Sequence, residues 1–543
     1  MLYENKIWMA NDADGNHINI LPKMANRHAL VCGATGTGKT VTLKVMAEAL
    51  SDMGVPVFMA DVKGDIAGMM AAGDDTEDMQ KRIARFGLAE AGFHYHGYPV
   101  TLWDIFGQDG IQLRTTITEL GPILLARILR LNELQTDILT IVFKIAEDNN
   151  LLLIDTKDLK AMLYYVSEHA KDFAADYGKI STNSIGAITR ALVALELEGG
   201  EIFFGEPALN IHDWMVREPD GRGMINVLAS DSLIGNGRLY STFLLWMLSE
   251  LFEKLPEVGD LEKPKMVFFF DEAHLLFNDV SKTLLDKIVQ VVKLIRSKGV
   301  GVVFCSQSPK DIPDVVLSQL GNKVEHGLRA YTPAEQKVVK AAAESFRVNP
   351  AFNTLEAILS LGTGEAVVSF LDEKGVPGIA QIAYILPPQS RMAAATEAER
   401  DQATKASLLY GKYAESYDPD SAYEFFQRLG LEQQAEEERL RAEAEKAGEE
   451  ARLKKEQEKE QAKAEKDREK ELAKAEKERE KAEKQKQRAK DNAIKQVGNS
   501  VFGTLGREAG KKAGSAFGSI GKKVGGNLGA AIGRGIVGTL FKK

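Results

Sequence analysis

The run Gly33-Ala34-Thr35-Gly36-Thr37-Gly38-Lys39-Thr40 is a complete G-x-x-x-x-G-K-[ST] pattern, set between the apolar stretch His28–Cys32 and an amphipathic stretch from Val41 to Leu50. The glycines let successive backbone N–H groups turn inward around an anion. A strand must deliver such a loop, and the helix that follows must point its positive end at the same anion. In that setting Lys39 reaches the β- and γ-phosphates of a nucleotide, and the Thr40 hydroxyl is a ligand for Mg²⁺. A glycine-rich structural turn is the bland alternative; the full pattern between a strand and a helix argues against it.

Other short apolar runs with strand character recur at Val57–Ala60, Met224–Leu228, Met266–Phe270 and Val300–Cys305. Helical patterns such as Leu284–Ile295 separate them. Strands apolar on both faces and alternating with helices imply a mainly parallel sheet covered on both sides. The pattern between about 112 and 222 is mainly helical, as in Ile123–Ile145, Leu159–His169 and Ser184–Leu197. It reads as a helical insertion into the α/β core, or as a small separate domain.

Two further strand ends carry polar groups suited to nucleotide chemistry. Met266–Phe270 runs into Asp271-Glu272-Ala273-His274. Carboxylates there stand at the carboxyl edge of the sheet, where open α/β folds bind ligands. Asp271 is placed to hold the Mg²⁺ shell, and Glu272 to orient and polarise an attacking water; a solvated acidic turn is the alternative. His274 either packs, caps a helix or relays the nucleotide state. Val302–Cys305 runs into Ser306-Gln307-Ser308-Pro309, where Gln307 either reads the γ-phosphate or only makes a turn. Asp61, ending Val57–Asp61, either orients Lys39 or contacts the phosphate-side network, or only caps the next turn. Arg27, Arg296 and Arg329 are candidates to share the charge of a phosphoryl-transfer transition state, although an arginine at a helix end more often offsets the dipole.

The chain has 543 residues and a formal net charge of −9, so any contact with nucleic acid must be concentrated in a channel or on loops. Two isolated cysteines, Cys32 and Cys305, give no disulfide framework and fit a reducing compartment. The start of the sequence carries no apolar run suited to a signal peptide, and no window reads as a spanning helix. A cytoplasmic protein is expected, with peripheral membrane association through the tail as the one departure.

Composition divides the chain into 1–395, globular; 396–434, a helical connector with Tyr410, Tyr413, Tyr417, Tyr423 and Phe425–Phe426 as docking groups; 435–492, rich in Ala, Glu, Lys, Arg and Gln; and 493–543, rich in Gly and Lys. The third zone sustains no apolar seam at coiled-coil spacing. It reads as a solvated helix on the order of 85 Å long, with disorder as the alternative. In the last zone Gly506, Gly510, Gly514 and Gly518 recur every fourth residue, as do Gly521, Gly525, Gly529 and Gly533. From Lys495 onward there are nine Lys/Arg and one Glu. Such a tail suits an acidic surface, whether anionic lipid, nucleic acid or the chain's own acidic body, or is flexible and folds only on contact.

Together, Asn26–Thr40, Ile225–Leu228, Leu244–Phe252, Phe268–Phe277 and Val303–Pro309 resemble the HerA/FtsK superfamily of hexameric ATPases, closest to the bacterial HerA-like (YjgR-type) helicases. The resemblance covers about residues 15–390. It implies a RecA-like P-loop fold, ATP and Mg²⁺ as cofactors, and a homo-hexamer with ATP at each subunit interface. It casts Gln307 as sensor, Arg27 as an arginine beside the P-loop of its own subunit, and Arg296 as a finger reaching a neighbour's ATP. Archaeal members dock a nuclease through an N-terminal barrel. The residues ahead of the Ala29 strand are too few for one, so a nuclease partner is not expected.

Three function classes follow. The first is an ATP-driven DNA or RNA translocase or helicase. The second is a conjugation- or secretion-like motor acting on protein at a membrane, motivated by the basic glycine tail. The third is a nucleotide-switched scaffold, which the full set Lys39, Asp271, Glu272 and Gln307 disfavours.

Overall fold

The computed structural model describes residues 1–197, 199–230, 237–277 and 282–488. It divides into two compact units, Met1–Glu436 and Glu437–Lys543.

The first unit is built on one sheet. Its strands in chain order are β1 Leu2–Tyr3, β2 Lys6–Asn11, β3 His17–Ile20, β4 Ala29–Cys32, β5 Val57–Asp61, β6 Val100–Asp104, β7 Ile111–Gln112, β8 Ile225–Ala229, β9 Met266–Phe270, β10 Val300–Ser306, β11 Asn322–His326, β12 Glu365–Ser369 and β13 Gln381–Ile385. Across the sheet they run β1-β2-β13-β12-β11-β4-β10-β9-β5-β8-β6-β7, with β3 paired to β2. Pairing is parallel from β11 through to β7. It is antiparallel among β11, β12, β13, β2 and their neighbours. A mixed α/β fold with a mostly parallel sheet therefore stands, and an antiparallel wing extends it beyond β11.

Alternation along the central strands explains why these runs are apolar throughout. Leu30, Phe58, Phe268 and Phe304 enter the core on one face, and Val31, Met59, Phe269 and Val303 enter the core on the other. Helix Lys39–Asp52 packs on the second face. Two of its polar side chains are buried and satisfied. Lys44 Nζ donates to the carbonyls of Asp65, Arg391 and Met392 at 2.7, 2.9 and 3.1 Å. Glu48 accepts from the Gln389 and Ser390 amides and the Ser390 hydroxyl, at 2.9, 3.0 and 2.6 Å. These bonds strap the P-loop helix to the segment after β13, where a lost partner would leave a buried charge.

Helices Ile117–Ile128, Glu133–Asp148, Thr156–Glu168 and Thr182–Leu197 lie on the first face with Gly237–Lys254 and Lys282–Leu294. The run Ile123–Ile145, which reads as one helix, is two. Arg130 has φ 56°, and Asn132 opens the second helix with a reciprocal cap to Gln135. An asparagine cap competes with helix continuation more strongly than the apolar spacing reveals. The connector docks here: Tyr413 is fully buried with its ring 5.4 Å from that of Trp103, and Phe426 stacks on Tyr165 at 4.6 Å. Tyr417 stays exposed.

Helix Ala422–Arg488 supplies all of the second unit that is described. Leu453 and Leu472 are exposed on it. The glycine repeats and the basic surplus of 493–543 lie outside the described residues.

Candidate functional site

Parallel pairing puts the carboxyl ends of β11, β4, β10, β9 and β5 along one edge of the sheet, with adjacent strands about 4.8 Å apart. The P-loop leaves β4 on this edge. Gly33, Gly36 and Gly38 have φ values of 151°, 79° and 113°, which side chains on L-residues disfavour. The loop is held from both flanks. The Ala34 amide donates to the Gly327 carbonyl at 3.1 Å, and the Gly364 amide donates to the Thr37 carbonyl at 3.0 Å. Lys39 Nζ folds back onto the carbonyls of Gly33 and Ala34 at 2.7 and 3.2 Å. It is therefore already held over the loop that it would share with a phosphate.

His326, the last residue of β11, buttresses the loop from below. Its Nε2 lies 2.8 Å from the Thr42 hydroxyl and its Nδ1 lies 2.9 Å from the Glu365 carbonyl. Burial pushes its pKa down to about 4, so the imidazole is neutral. A Cβ on Gly33 would stand 2.5 Å from His326 Cβ, so the closeness of these two chains requires glycine.

Asp271 and Glu272 follow β9. Burial, reinforced by the adjacent Glu272, raises the Asp271 carboxyl above the usual range. The Glu272 amide donates to Asp271 Oδ1 at 2.9 Å, and the Tyr240 hydroxyl donates to the Asp271 carbonyl at 3.0 Å. Glu272 itself has φ 48°, a strained value for a side chain of this kind. Its Oε2 is buried and accepts no hydrogen bond. His274 Nδ1 approaches that oxygen to 3.3 Å, an ion-pair distance without hydrogen-bond alignment. A buried carboxylate oxygen left without a hydrogen bond retains its capacity to accept one.

Gln307 is exposed at the end of β10, between the P-loop and the acidic pair. The turn behind it is fixed by Asp311, which accepts from the Ser306 hydroxyl at 2.7 Å and the Ser308 amide at 3.0 Å. A cavity of about 490 Å³ opens beside it, lined by His274, Gln307, Lys310 and Arg329. Arg329, the third arginine candidate, thus shares a cavity with Gln307.

Arg27 and Arg296 are not brought to this edge. Arg27 precedes β4, and its guanidinium lies against the turn at Gly375. It is at the amino end of the strand that carries the P-loop at its carboxyl end, so the expected position beside the P-loop of its own chain does not hold. Arg296 lies in the turn before β10 and pairs with Asp260 at 3.2 Å. With β10 spanning Val300–Ser306, about 20 Å of strand separates it from Gln307. Asp61 accepts from the Gly64 and Ala67 amides at 2.8 and 3.0 Å, so it organises the following turn rather than orienting Lys39.

Reading the sequence missed Glu325, His326 and the Thr363–Glu365 turn. Glu325 is buried under the P-loop, and His326 and Gly364 touch the loop directly. The one signal was the charged, uneven composition of Val324–Leu328, which is odd for a strand beside the central one.

The donor set suits a hard divalent cation that keeps waters and binds chiefly through phosphate. It offers a threonine hydroxyl at Thr40 and one aspartate at Asp271, and among the described residues no group of three or more His, Cys, Asp or Glu side chains could hold a metal ion. Thr40 and Asp271 are the residues that would hold Mg²⁺.

The family model described as helicase HerA-like C-terminal matches residues 6–512. A probable helicase of Methanocaldococcus jannaschii is 32% identical over 136 residues, which are 24% of each chain. The DNA double-strand break repair helicase HerA of Sulfurisphaera tokodaii is 24% identical over 364 residues, covering 65% of this chain and 64% of that one. The chain therefore spans less than two thirds of either relative. Among solved structures, the plasmid coupling protein TrwB with a non-hydrolysable ATP analogue superposes with a TM-score of 0.46 at 16% identity, covering 69% of this chain and 88% of that one. VirB4 of Thermoanaerobacter pseudethanolicus gives 0.44 at 14% identity, covering 71% and 96%.

Proposed function

The chain belongs to the helicase HerA-like C-terminal family, and from that premise we propose that it is an ATP-hydrolysing, ring-forming motor that moves DNA or RNA. One observation carries the reading. A complete P-loop, an acidic pair whose Glu272 Oε2 accepts no hydrogen bond, and an exposed glutamine lie on three adjacent strand ends, β4, β9 and β10.

On this reading Gly33, Ala34, Thr35, Gly36, Thr37 and Gly38 present their amides to the phosphates, and Lys39 leaves its carbonyls for the β- and γ-oxygens. Thr40 and Asp271 would hold Mg²⁺, which when bound would supply neutralisation of the phosphate charge. Glu272 Oε2 takes the proton of the attacking water, and Gln307 holds that water or the γ-phosphate in line. The positive φ of Glu272 keeps its carboxylate at the edge instead of following the strand's alternation.

Arg27 and Arg296 both stand at the amino edge. Neither serves the nucleotide of its own chain. Arg296 is assigned to a neighbouring subunit's nucleotide, which makes assembly a condition of hydrolysis. The substrate, nucleic acid, is inferred from the family and from the repair role of the named archaeal relative.

The test is steady-state ATP hydrolysis by the purified chain with and without single- and double-stranded DNA, alongside mass measurement of the assembly. Hydrolysis by an oligomer, increased by DNA, is expected. Hydrolysis indifferent to every nucleic acid in a verified ring would sink the translocase reading, and a pocket left empty at millimolar ATP would sink the motor.

A further inference from the structure

We propose that the cleft between helix Glu77–Phe86 and the Thr363–Glu365 turn, where Arg85 stacks on Tyr384, receives the nucleoside end, a base on its ribose, of the triphosphate that the P-loop holds. The proposal rests on the nucleotide reading above and adds where the other half of that ligand lies.

Direction supplies the first argument. In the sheet order, β10 and β9 lie on one side of β4, and β11, β12 and β13 lie on the other. Gln307 and the Asp271–Glu272 pair fix the first side as the terminal-phosphate side. A nucleotide lying across the P-loop must therefore carry its nucleoside toward β11–β13.

A cleft opens on that side. It measures about 190 Å³ and is lined by Arg82, Arg85, Thr363, Gly364 and Tyr384, among others. It shares a wall with the P-loop: the Gly364 amide on its lining donates to the Thr37 carbonyl at 3.0 Å. Arg82 closes the same wall: a Cβ on Gly364 would stand 3.1 Å from its terminal nitrogen. The volume is below the roughly 300 Å³ at which pockets for whole drug-sized ligands begin, so it suits a fragment of a nucleotide.

The chemistry is that of a stacking platform. The Arg85 guanidinium lies 3.9 Å from the Tyr384 ring centroid. Arg82 is paired with Asp78 at 3.0 Å, whereas Arg85 has no carboxylate partner among the described residues and is exposed. Its position is set by aromatic rings, Tyr384 at 3.9 Å and the more distant Phe86 at 5.8 Å from ring centroid to guanidinium. A guanidinium so oriented stacks on a heterocycle without reading its edge.

The experiment compares equilibrium binding of Mg-ATP and of Mg-tripolyphosphate, which has the phosphates and no nucleoside, to the full chain and to Arg85→Ala, Tyr384→Leu and Tyr384→Phe. Loss of one stacking partner is expected to weaken ATP about tenfold in Arg85→Ala and Tyr384→Leu. Tripolyphosphate binding should not change, and Tyr384→Phe should behave as the parent. Unchanged ATP affinity in Arg85→Ala, or equal weakening of both ligands, overturns the assignment. So does a parent protein that binds ATP no more tightly than tripolyphosphate. A parent that binds neither ligand overturns the nucleotide reading itself, and this inference with it.

Discussion

Glu325 faces Cys32 in the parallel register of β11 against β4, one residue before the P-loop begins. The carboxyl is 2% exposed, and its Oε1 accepts no hydrogen bond. Burial pushes its pKa up to about 8, although the Lys39 ammonium pulls the other way. A carboxyl raised in the folded state gives stability that is complete below its unfolded value near 4.5 and is lost as pH rises through about 8. Glu325→Gln cannot ionise, so it should match the parent at pH 5 and become progressively more stable than it from pH 6 to 9. Thermal unfolding midpoints across that range check this. Parallel curves for the two proteins would mean that the carboxyl is already ionised in the fold.

The contact between Gly33 and His326 makes a second expectation specific to one glycine. Gly33 and Gly36 both have positive φ, but only at Gly33 would a Cβ meet another chain segment; nothing lies within 4 Å at Gly36. Gly36→Ala should cost about 1–2 kcal/mol of backbone strain. Gly33→Ala adds overpacking against a strand that cannot move away, for about 1–3 kcal/mol more. Denaturant unfolding should rank the two in that order, and nucleotide binding should be lost first in Gly33→Ala. Equal costs would show that β11 yields.

The five parallel strands recognised in the sequence, the P-loop and the acidic pair were legible because each is a local pattern: a fully apolar run, then a fixed set of polar residues at its carboxyl end. The antiparallel wing was not. Glu365–Ser369 and Gln381–Ile385 mix apolar and polar residues over a few positions, and only pairing with β11 and β2 fixes them as strands. The groups that hold the P-loop in place come from the end of β11 (His326) and the turn before β12 (Gly364), some 300 residues away in sequence, where no spacing announces their contact with the loop. The place of Arg27 was also illegible. The family resemblance set it beside the P-loop, but an extended strand, β4, intervenes and separates the two ends.

Glu272 is expected to trade stability for chemistry. Its Oε2 is buried without a hydrogen bond, beside Asp271. Glu272→Gln keeps the volume and removes a charge, so the ligand-free protein should unfold at a temperature no lower than that of the parent. It should still bind ATP, while kcat falls by roughly 10²–10⁴-fold for want of a general base. Turnover at the parental rate, or a clear drop in unfolding temperature, would remove Glu272 from the role assigned to it.

Arg296 separates catalysis from stability most cleanly. Its partner Asp260 is largely exposed at 3.2 Å, so Arg296→Ala should cost less than about 1 kcal/mol. If its guanidinium completes the nucleotide site of the next subunit, the variant should still bind ATP and assemble but hydrolyse slowly. Lys39→Ala should fail for a different reason, because its own P-loop is disabled. Rings reassembled from a mixture of the two variants then contain some interfaces where an intact P-loop, supplied by an Arg296→Ala subunit, meets an intact arginine, supplied by a Lys39→Ala subunit. Those interfaces should regain hydrolysis that neither variant has alone. An arginine serving its own chain, or serving only the Asp260 contact, gives no recovery on mixing, and that result would return Arg296 to the surface.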